Sequence, residues 1–159
     1  MKISEIMTPD PRTVEATATV RDAARIMREH RVGGLPVLDG SRLVGMVTDS
    51  DLLALLSTRP PSEDLWLPSP LEIIEVPIRE FINWEKTKAA LSDIGITTVD
   101  RVMSEPPITI SEEAEIEEAA ALMLREGIVR LPVMRGVALV GIVTRSDIVQ
   151  GLATGRESA

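Results

Sequence analysis

A mixed α/β (α+β) fold built from two like halves is what this sequence predicts, and three observations predict it. Residues from Ile3 to Leu53 recur without a gap ninety-six positions later as Val99 to Val149. From Met7 onward about 18 of the 47 aligned positions are identical, and eight others exchange one apolar residue for another. Each copy alternates short apolar runs of strand length with stretches at helical spacing. A repeat of roughly fifty residues present only twice describes a pair of like units sharing a core rather than a long solenoid.

Taken in order, each copy reads strand, helix, strand, strand, helix. Thr13-Val14 and Thr109-Ile110 are short extended segments after proline. Thr19 is placed to cap a helix whose apolar positions are Val20, Ala23, Ala24, Ile26 and Met27, and its counterpart uses Ile116, Ala119, Ala120, Leu122 and Met123. Leu35-Pro36-Val37-Leu38 and Leu43-Val44-Gly45-Met46-Val47 are apolar runs separated by the hairpin signal Asp39-Gly40; the second copy keeps the glycine as Gly136 behind Arg135. The last helix begins near Asp51 with Leu52, Leu53, Leu55 and Leu56, and near Asp147 with Ile148, Val149 and Leu152. The chain thus divides into a first repeat (1–56), an insert (57–98), a second repeat (99–153) and a frayed tail (154–159).

The insert opens with Arg59-Pro60-Pro61-Ser62 and Pro68-Ser69-Pro70, which favour loop, and then offers Leu71 to Val76 as a short strand. Pro77 and Gly95 bracket an amphipathic helix of about fifteen residues. All three aromatic residues, Trp66, Phe81 and Trp84, fall in this insert. They either cap the repeat core or a subunit interface, or form a stacking or recognition surface.

Composition excludes several classes of function. With no cysteine there are no disulfides or thiolate metal sites, and a single histidine, His30, leaves a histidine metal centre or catalytic dyad without its parts. The net charge of −8 argues against a nucleic-acid partner. No apolar run approaches the ~20 residues needed to span a bilayer, and the first residues lack the apolar core of a secretory signal, so a cytoplasmic location without membrane contact is expected. The glutamates at 112, 113, 115, 117 and 118 crowd one helix start, where acidic side chains favour the positive end of the helix dipole. No nucleophile–base constellation, Gly-x-x-x-x-Gly-Lys loop or metal-ligand cluster is present, so no enzyme is expected.

Several features of the repeat are specific. They are the Met-Thr and Met-Ser pairs at 7-8 and 103-104, the Ala-Ala helix running to Met27 or Met123, the Leu-Pro-Val strand, and above all the Gly-x-Val-Thr-x-Ser-Asp that closes both copies. Together they closely resemble the CBS domain, and two in tandem resemble a Bateman module of the stand-alone archaeal or bacterial type. About 100 of the 159 residues carry the likeness, and the insert lies outside it. The resemblance implies two β-α-β-β-α repeats packed about a pseudo-twofold axis, with two related clefts between them. It further implies an adenosine-containing ligand (AMP, ADP, ATP or S-adenosylmethionine), no catalytic cofactor, a regulatory role, a homodimer and a regulated protein partner.

The residues that suit such a ligand can be named. Asp51 and Asp147, at helix starts, can accept hydrogen bonds from ribose hydroxyls, and Thr48 and Thr144 lie three residues earlier. The family's adenine pocket falls on Thr13-Val14 with Leu35-Pro36-Val37, and on Thr109-Ile110 with Leu131-Pro132-Val133. Arg130 stands where family members that bind phosphorylated adenosines often carry a basic residue; Arg145 is a second phosphate candidate, and His30 and Arg31 can line the same path. Gly33-Gly34 leave room in the first repeat but bring no charge, so clefts of unequal affinity are expected. Each element also has a purely structural reading: Ser50 or Asp51 can cap a helix without a ligand, and Pro36 and Pro132 can sit at a strand end or edge. The competing function is a ligand-free dimerisation or protein-interaction module that uses the aromatic insert.

Overall fold

The computed structural model describes residues 1–57 and 93–155. In chain order these form α1 (Ile3–Ile6), β1 (Thr8–Pro9), β2 (Val14–Glu15), α2 (Val20–His30), β3 (Gly34–Asp39), β4 (Arg42–Thr48) and α3 (Asp49–Ser57). A 3-10 turn follows at Val99–Arg101, then β5 (Ile110–Ser111), α4 (Ile116–Glu126), β6 (Arg130–Arg135), β7 (Ala138–Thr144) and α5 (Arg145–Thr154). The expected strand-helix-strand-strand-helix order is present in both copies. The strand and helix expected within the insert, with Trp66, Phe81 and Trp84, lie outside the described residues, apart from helical residues 93–95 at its end. Of the frayed tail, Thr154 ends α5 and residues 156–159 lie outside the description.

Local chemistry sets the elements. Thr19 caps α2: its hydroxyl accepts from the Asp22 amide at 3.1 Å while Asp22 Oδ2 accepts from the Thr19 amide at 3.1 Å. Val20, Ala23 and Met27 line its buried face, and Arg31 ends it with φ of 52°, a left-handed position that Gly127 fills after α4. β3 and β4 pair as a hairpin through Leu35↔Val47 and Asp39↔Arg42, leaving Gly40-Ser41 as the two-residue loop with Gly40 at φ 63°. β6 and β7 repeat this register from Leu131↔Val143 to Arg135↔Ala138, including the same irregularity one residue after the buried valine.

Pro36 and Pro132 sit inside six-residue strands that have neighbours on both sides. Each is tolerated because the partner on one side begins one residue later, at Val14↔Val37 and Ile110↔Val133, so no ladder bond is lost to the missing amide hydrogen.

Where the leading segments go could not be read from the repeat. β1 leaves its own half and pairs antiparallel with β7 through Thr8↔Ile142, making the sheet order β1-β7-β6-β5 against β2-β3-β4. Ser104 makes the reciprocal bridge to Met46, with amide-to-carbonyl distances of 2.8 and 3.1 Å. The core follows the exchange. Ile3 is fully buried among Ile110, Ile116, Met123, Leu131, Val133 and Val143, whereas Val99 is fully buried among Val14, Met27, Leu35, Val37 and Val47. In place of one shared core there are two, each completed by the segment that leads into the other half.

The acidic start of α4 is also resolved. Only Glu117 and Glu118 lie in the first turn; Glu112 pairs with Arg135, Glu113 with Lys2, and Glu115 with the Met1 ammonium at 2.7 Å. Specific cations, more than the helix dipole, neutralise this cluster.

Candidate functional site

The exchange of leading segments creates two clefts, each built from both halves. The first, of about 270 Å³, is formed by Met46 to Ser50 at the β4–α3 junction, by Ser104 and Pro106 to Ile108, and by Gly127 to Arg130 before β6. The second, of about 570 Å³, is formed by Ile142, Thr144 and Asp147 at the β7–α5 junction, by Thr8 and Asp10 to Arg12, and by His30 to Gly34 with Arg130. The second lies within the range of about 300–1,000 Å³ usual for small-ligand pockets, and the first falls just under it. The helix start of one repeat therefore faces the pre-strand segment of the other. Gly33-Gly34 belong with Asp147 rather than with Asp51.

At each helix start the carboxylate has two separable ends. Asp147 Oδ2 accepts from the Thr144 amide at 2.7 Å and from its hydroxyl at 2.8 Å, while that hydroxyl accepts from the Asp147 amide at 3.3 Å. Thr48 and Asp51 repeat this at 2.8, 3.1 and 3.3 Å. Threonine is thus the cap and aspartate its reciprocal partner, so both helices start two residues earlier than expected, at Asp49 and Arg145. The threonine hydroxyl proton is committed to the aspartate, which leaves the hydroxyl only an acceptor role toward a ligand. What remains for a ligand is Oδ1. In Asp51 it receives a long contact of 3.5 Å from Ser104 Oγ, and Ser104 lines the first cleft.

The adenine-pocket expectation fares differently. Leu35, Pro36, Val37, Leu131, Pro132 and Val133 are fully buried, Val14 and Ile110 nearly so, and none of them lines either cleft; Thr13 and Thr109 do not line them either. The side chains of Leu35 and Val37, and of Leu131 and Val133, are taken up by the two cores. The apolar lining comes instead from Met46, Pro107, Ile108, Ile128 and Val129 in the first cleft and from Pro11, Val32 and Ile142 in the second. Arg145 is diverted as well: its guanidinium donates to the Ile128 carbonyl at 3.1 and 3.2 Å and reaches neither cleft lining.

Charge separates the clefts. Arg12, His30, Arg31 and Arg130 line the second, with Asp10 and Asp147 as its acids. The positions that match these in the repeat are Ile108, Glu126, Gly127 and Gly34, of which Ile108 and Gly127 line the first cleft, and among the described residues Arg130 is the one cation on its lining. Asp10 and Arg12 went unnamed in the sequence reading; the only signal for Arg12 was its mismatch with Ile108 in a conserved-length, proline-flanked stretch. Among the described residues no cluster of three or more His, Cys, Asp or Glu could hold a metal ion, and no helix is long and apolar enough to cross a membrane.

The CBS-domain family model matches the chain twice, over residues 3–58 and 99–154. The chain belongs to the CBS-domain family. This CBS pair is 34% identical over 154 residues to the uncharacterized protein MJ1426 of Methanocaldococcus jannaschii, covering 96% of this chain and 91% of that one. It is 33% identical over 154 residues to the chloroplastic CBS domain-containing protein CBSX1 of Arabidopsis thaliana, covering 93% and 62%. Among solved structures it superposes on the CBS-pair protein CBSX2 from Arabidopsis thaliana with a TM-score of 0.73 at 28% identity, covering 99% and 98%. A structure of CBSX2 in complex with AMP gives a TM-score of 0.70 at 28% identity, covering 98% of each chain. The architecture is that of a CBS-pair regulatory module, and adenine-nucleotide binding is found among its structural neighbours.

Proposed function

We propose that this CBS pair senses a phosphorylated adenosine (AMP, ADP or ATP) in the second cleft. The observation that carries the reading is one cavity holding both Asp147, whose Oδ1 accepts no hydrogen bond from the described residues, and the cations Arg12, Arg31 and Arg130, with His30 beside them. A ribose hydroxyl donating to Oδ1 makes a charge-assisted bond worth about 1.5–3 kcal/mol where water is excluded. The arginines can take phosphate oxygens in bidentate fashion. The AMP complex of CBSX2 supports a ligand of this class in this fold. S-adenosylmethionine sets one carboxylate against a sulfonium and an ammonium, so it gains less from those cations than a phosphate does and ranks below the nucleotides. Binding favours one arrangement of the two halves over another by no more than the ligand's differential affinity for them, and a homodimer acting on a protein partner completes the regulatory reading.

The test is calorimetric titration with AMP, ATP and S-adenosylmethionine on the wild type and on Asp147→Asn. Asparagine keeps an oxygen for the helix cap and replaces the ribose-facing oxygen with an amide. Micromolar AMP binding, weakened at least about tenfold by the substitution, is the expected result. A folded protein that gives no heat with any ligand removes the nucleotide reading and leaves the interaction module.

A further inference from the structure

Arg130 lines both clefts, and the structure explains why there is only one such arginine. The internal repeat matches Arg130 with Gly34, so the pseudo-twofold axis brings these two positions together. Arg130 crosses to the other half and donates from Nη1 to the Gly33 carbonyl at 2.8 Å. Its guanidinium lies on the glycine pair. A Cβ at Gly33 would stand 2.6 Å from Arg130 Nη2, and one at Gly34 would stand 2.7 Å from Nη1 and 2.8 Å from Cδ. A side chain at position 34 would therefore displace the arginine from this place. The place is built for a single cation that two sites border.

Resting on the nucleotide reading above, we propose that Arg130 is a shared phosphate ligand, so that a phosphorylated ligand in one cleft weakens phosphate binding in the other. The second cleft has other cations to hold a phosphate, whereas among the described residues the first has Arg130 alone on its lining. The first cleft must draw the guanidinium toward itself, losing the bond to Gly33 and the arginine's service to the second. One guanidinium brings one positive charge, so a phosphate that holds it in one cleft leaves less of it for a phosphate in the other. The coupling is reciprocal by linkage, and site–site couplings of this kind typically amount to about 5- to 150-fold in affinity.

The experiment titrates AMP into the full chain as wild type, Asp147→Asn, Arg130→Gln and the double variant, with far-ultraviolet circular dichroism to verify folding. Asp147→Asn disables the second cleft without touching the first. The expected result is that AMP binds the first cleft of Asp147→Asn at least about fivefold more tightly than it binds as the second equivalent to wild type. In the Arg130→Gln background that difference disappears. A wild type that holds one AMP while Asp147→Asn also holds one is the limiting form of the same result. Equal affinities in the first comparison, no AMP binding to Asp147→Asn, or a difference that persists in Arg130→Gln (direct repulsion between two bound phosphates) each overturn the sharing while the nucleotide reading stands. Absence of AMP binding to the wild type overturns both.

Discussion

Met103 lays its thioether against Gly45: a Cβ at that glycine would stand 2.6 Å from the Met103 sulfur and 2.9 Å from the Ser104 carbonyl oxygen. Met7 and Thr8 meet Gly141 in the same way. The methionine that precedes each Thr or Ser and the glycine that opens each Gly-x-Val-Thr are two sides of one contact between halves. The glycine is bare so that the other half's leading segment can bridge the strand at Met46 or Ile142. That bridge brings Ser104 and Thr8 to the cleft walls. Two motifs that look separate in sequence thus position one site.

Alanine at Gly45 or Gly141 is expected to destabilise the protein by about 1–3 kcal/mol, the usual cost of overpacking. The methionine can swing away, but a backbone carbonyl held in a bridge cannot. Gly40 is the comparison: its Cβ position is open, and alanine there meets only the left-handed backbone cost of about 1–2 kcal/mol. Urea denaturation of the three variants measures this, and an unchanged midpoint for Gly45→Ala would show that the bridge yields.

Ile3→Ala should cost about 2–5 kcal/mol, as for a fully buried isoleucine, although it lies only two residues from the chain start. Its effect belongs to the opposite half, because Ile3 packs against β6 and β7 residues. Amide hydrogen exchange is expected to lose protection in β6 and β7 before β3 and β4. The reverse order would contradict the crossed packing.

Stability and binding should separate at Asp147. Asp147→Ala removes the reciprocal partner of the Thr144 cap as well as the ribose acceptor, and should lower stability by about 0.5–2 kcal/mol along with AMP affinity. Asp147→Asn should hold stability within about 0.5 kcal/mol while AMP affinity falls. Thermal melts beside titration read both effects. Loss of affinity in alanine alone would mean that the residue acts on ligand only through the helix.

The elements were legible because their signals are local. Thr19 with Asp22 announces a capped helix, Asp39-Gly40 a hairpin, and Ala23 and Met27 one buried face. The exchange was not legible for a physical reason: Ile3 and Val99 are matched apolar residues, so an exchanged pair and an unexchanged pair show the same pattern. Which helix start shares a cleft with Gly33-Gly34 therefore follows only from the exchange, which sets them beside Asp147. Arg130 was visible as a cation without a counterpart, but its reach to Gly33 follows from the axis. Arg12 and Asp10 came into view only once Thr8 was seen beside Ile142.

Acid should loosen the second half before the first, through Glu112. Its carboxylate is buried and holds Arg135 by two bonds, Nε to Oε1 and Nη2 to Oε2 at 2.8 Å. The matched residues in the first half are Ala16 and Asp39, which form no such pair. The hydrogen bond from Arg135 holds the Glu112 carboxyl below its ordinary value of 4.5, with burial opposing. A depressed acid binds fewer protons folded than unfolded as pH falls through 4.5. Its contribution is therefore complete above that value and is lost as pH drops toward the folded pKa. Glu115 is held low in the same way by the Met1 ammonium and Asp22 by hydrogen bonds from Thr19, so total acid stability mixes the three, and the difference between wild type and Glu112→Gln isolates one. Urea unfolding at about pH 7 should show the variant less stable than wild type, and at about pH 3 the gap should narrow. A gap of constant size across that range would assign the stabilisation to packing of Glu112 rather than to its charge.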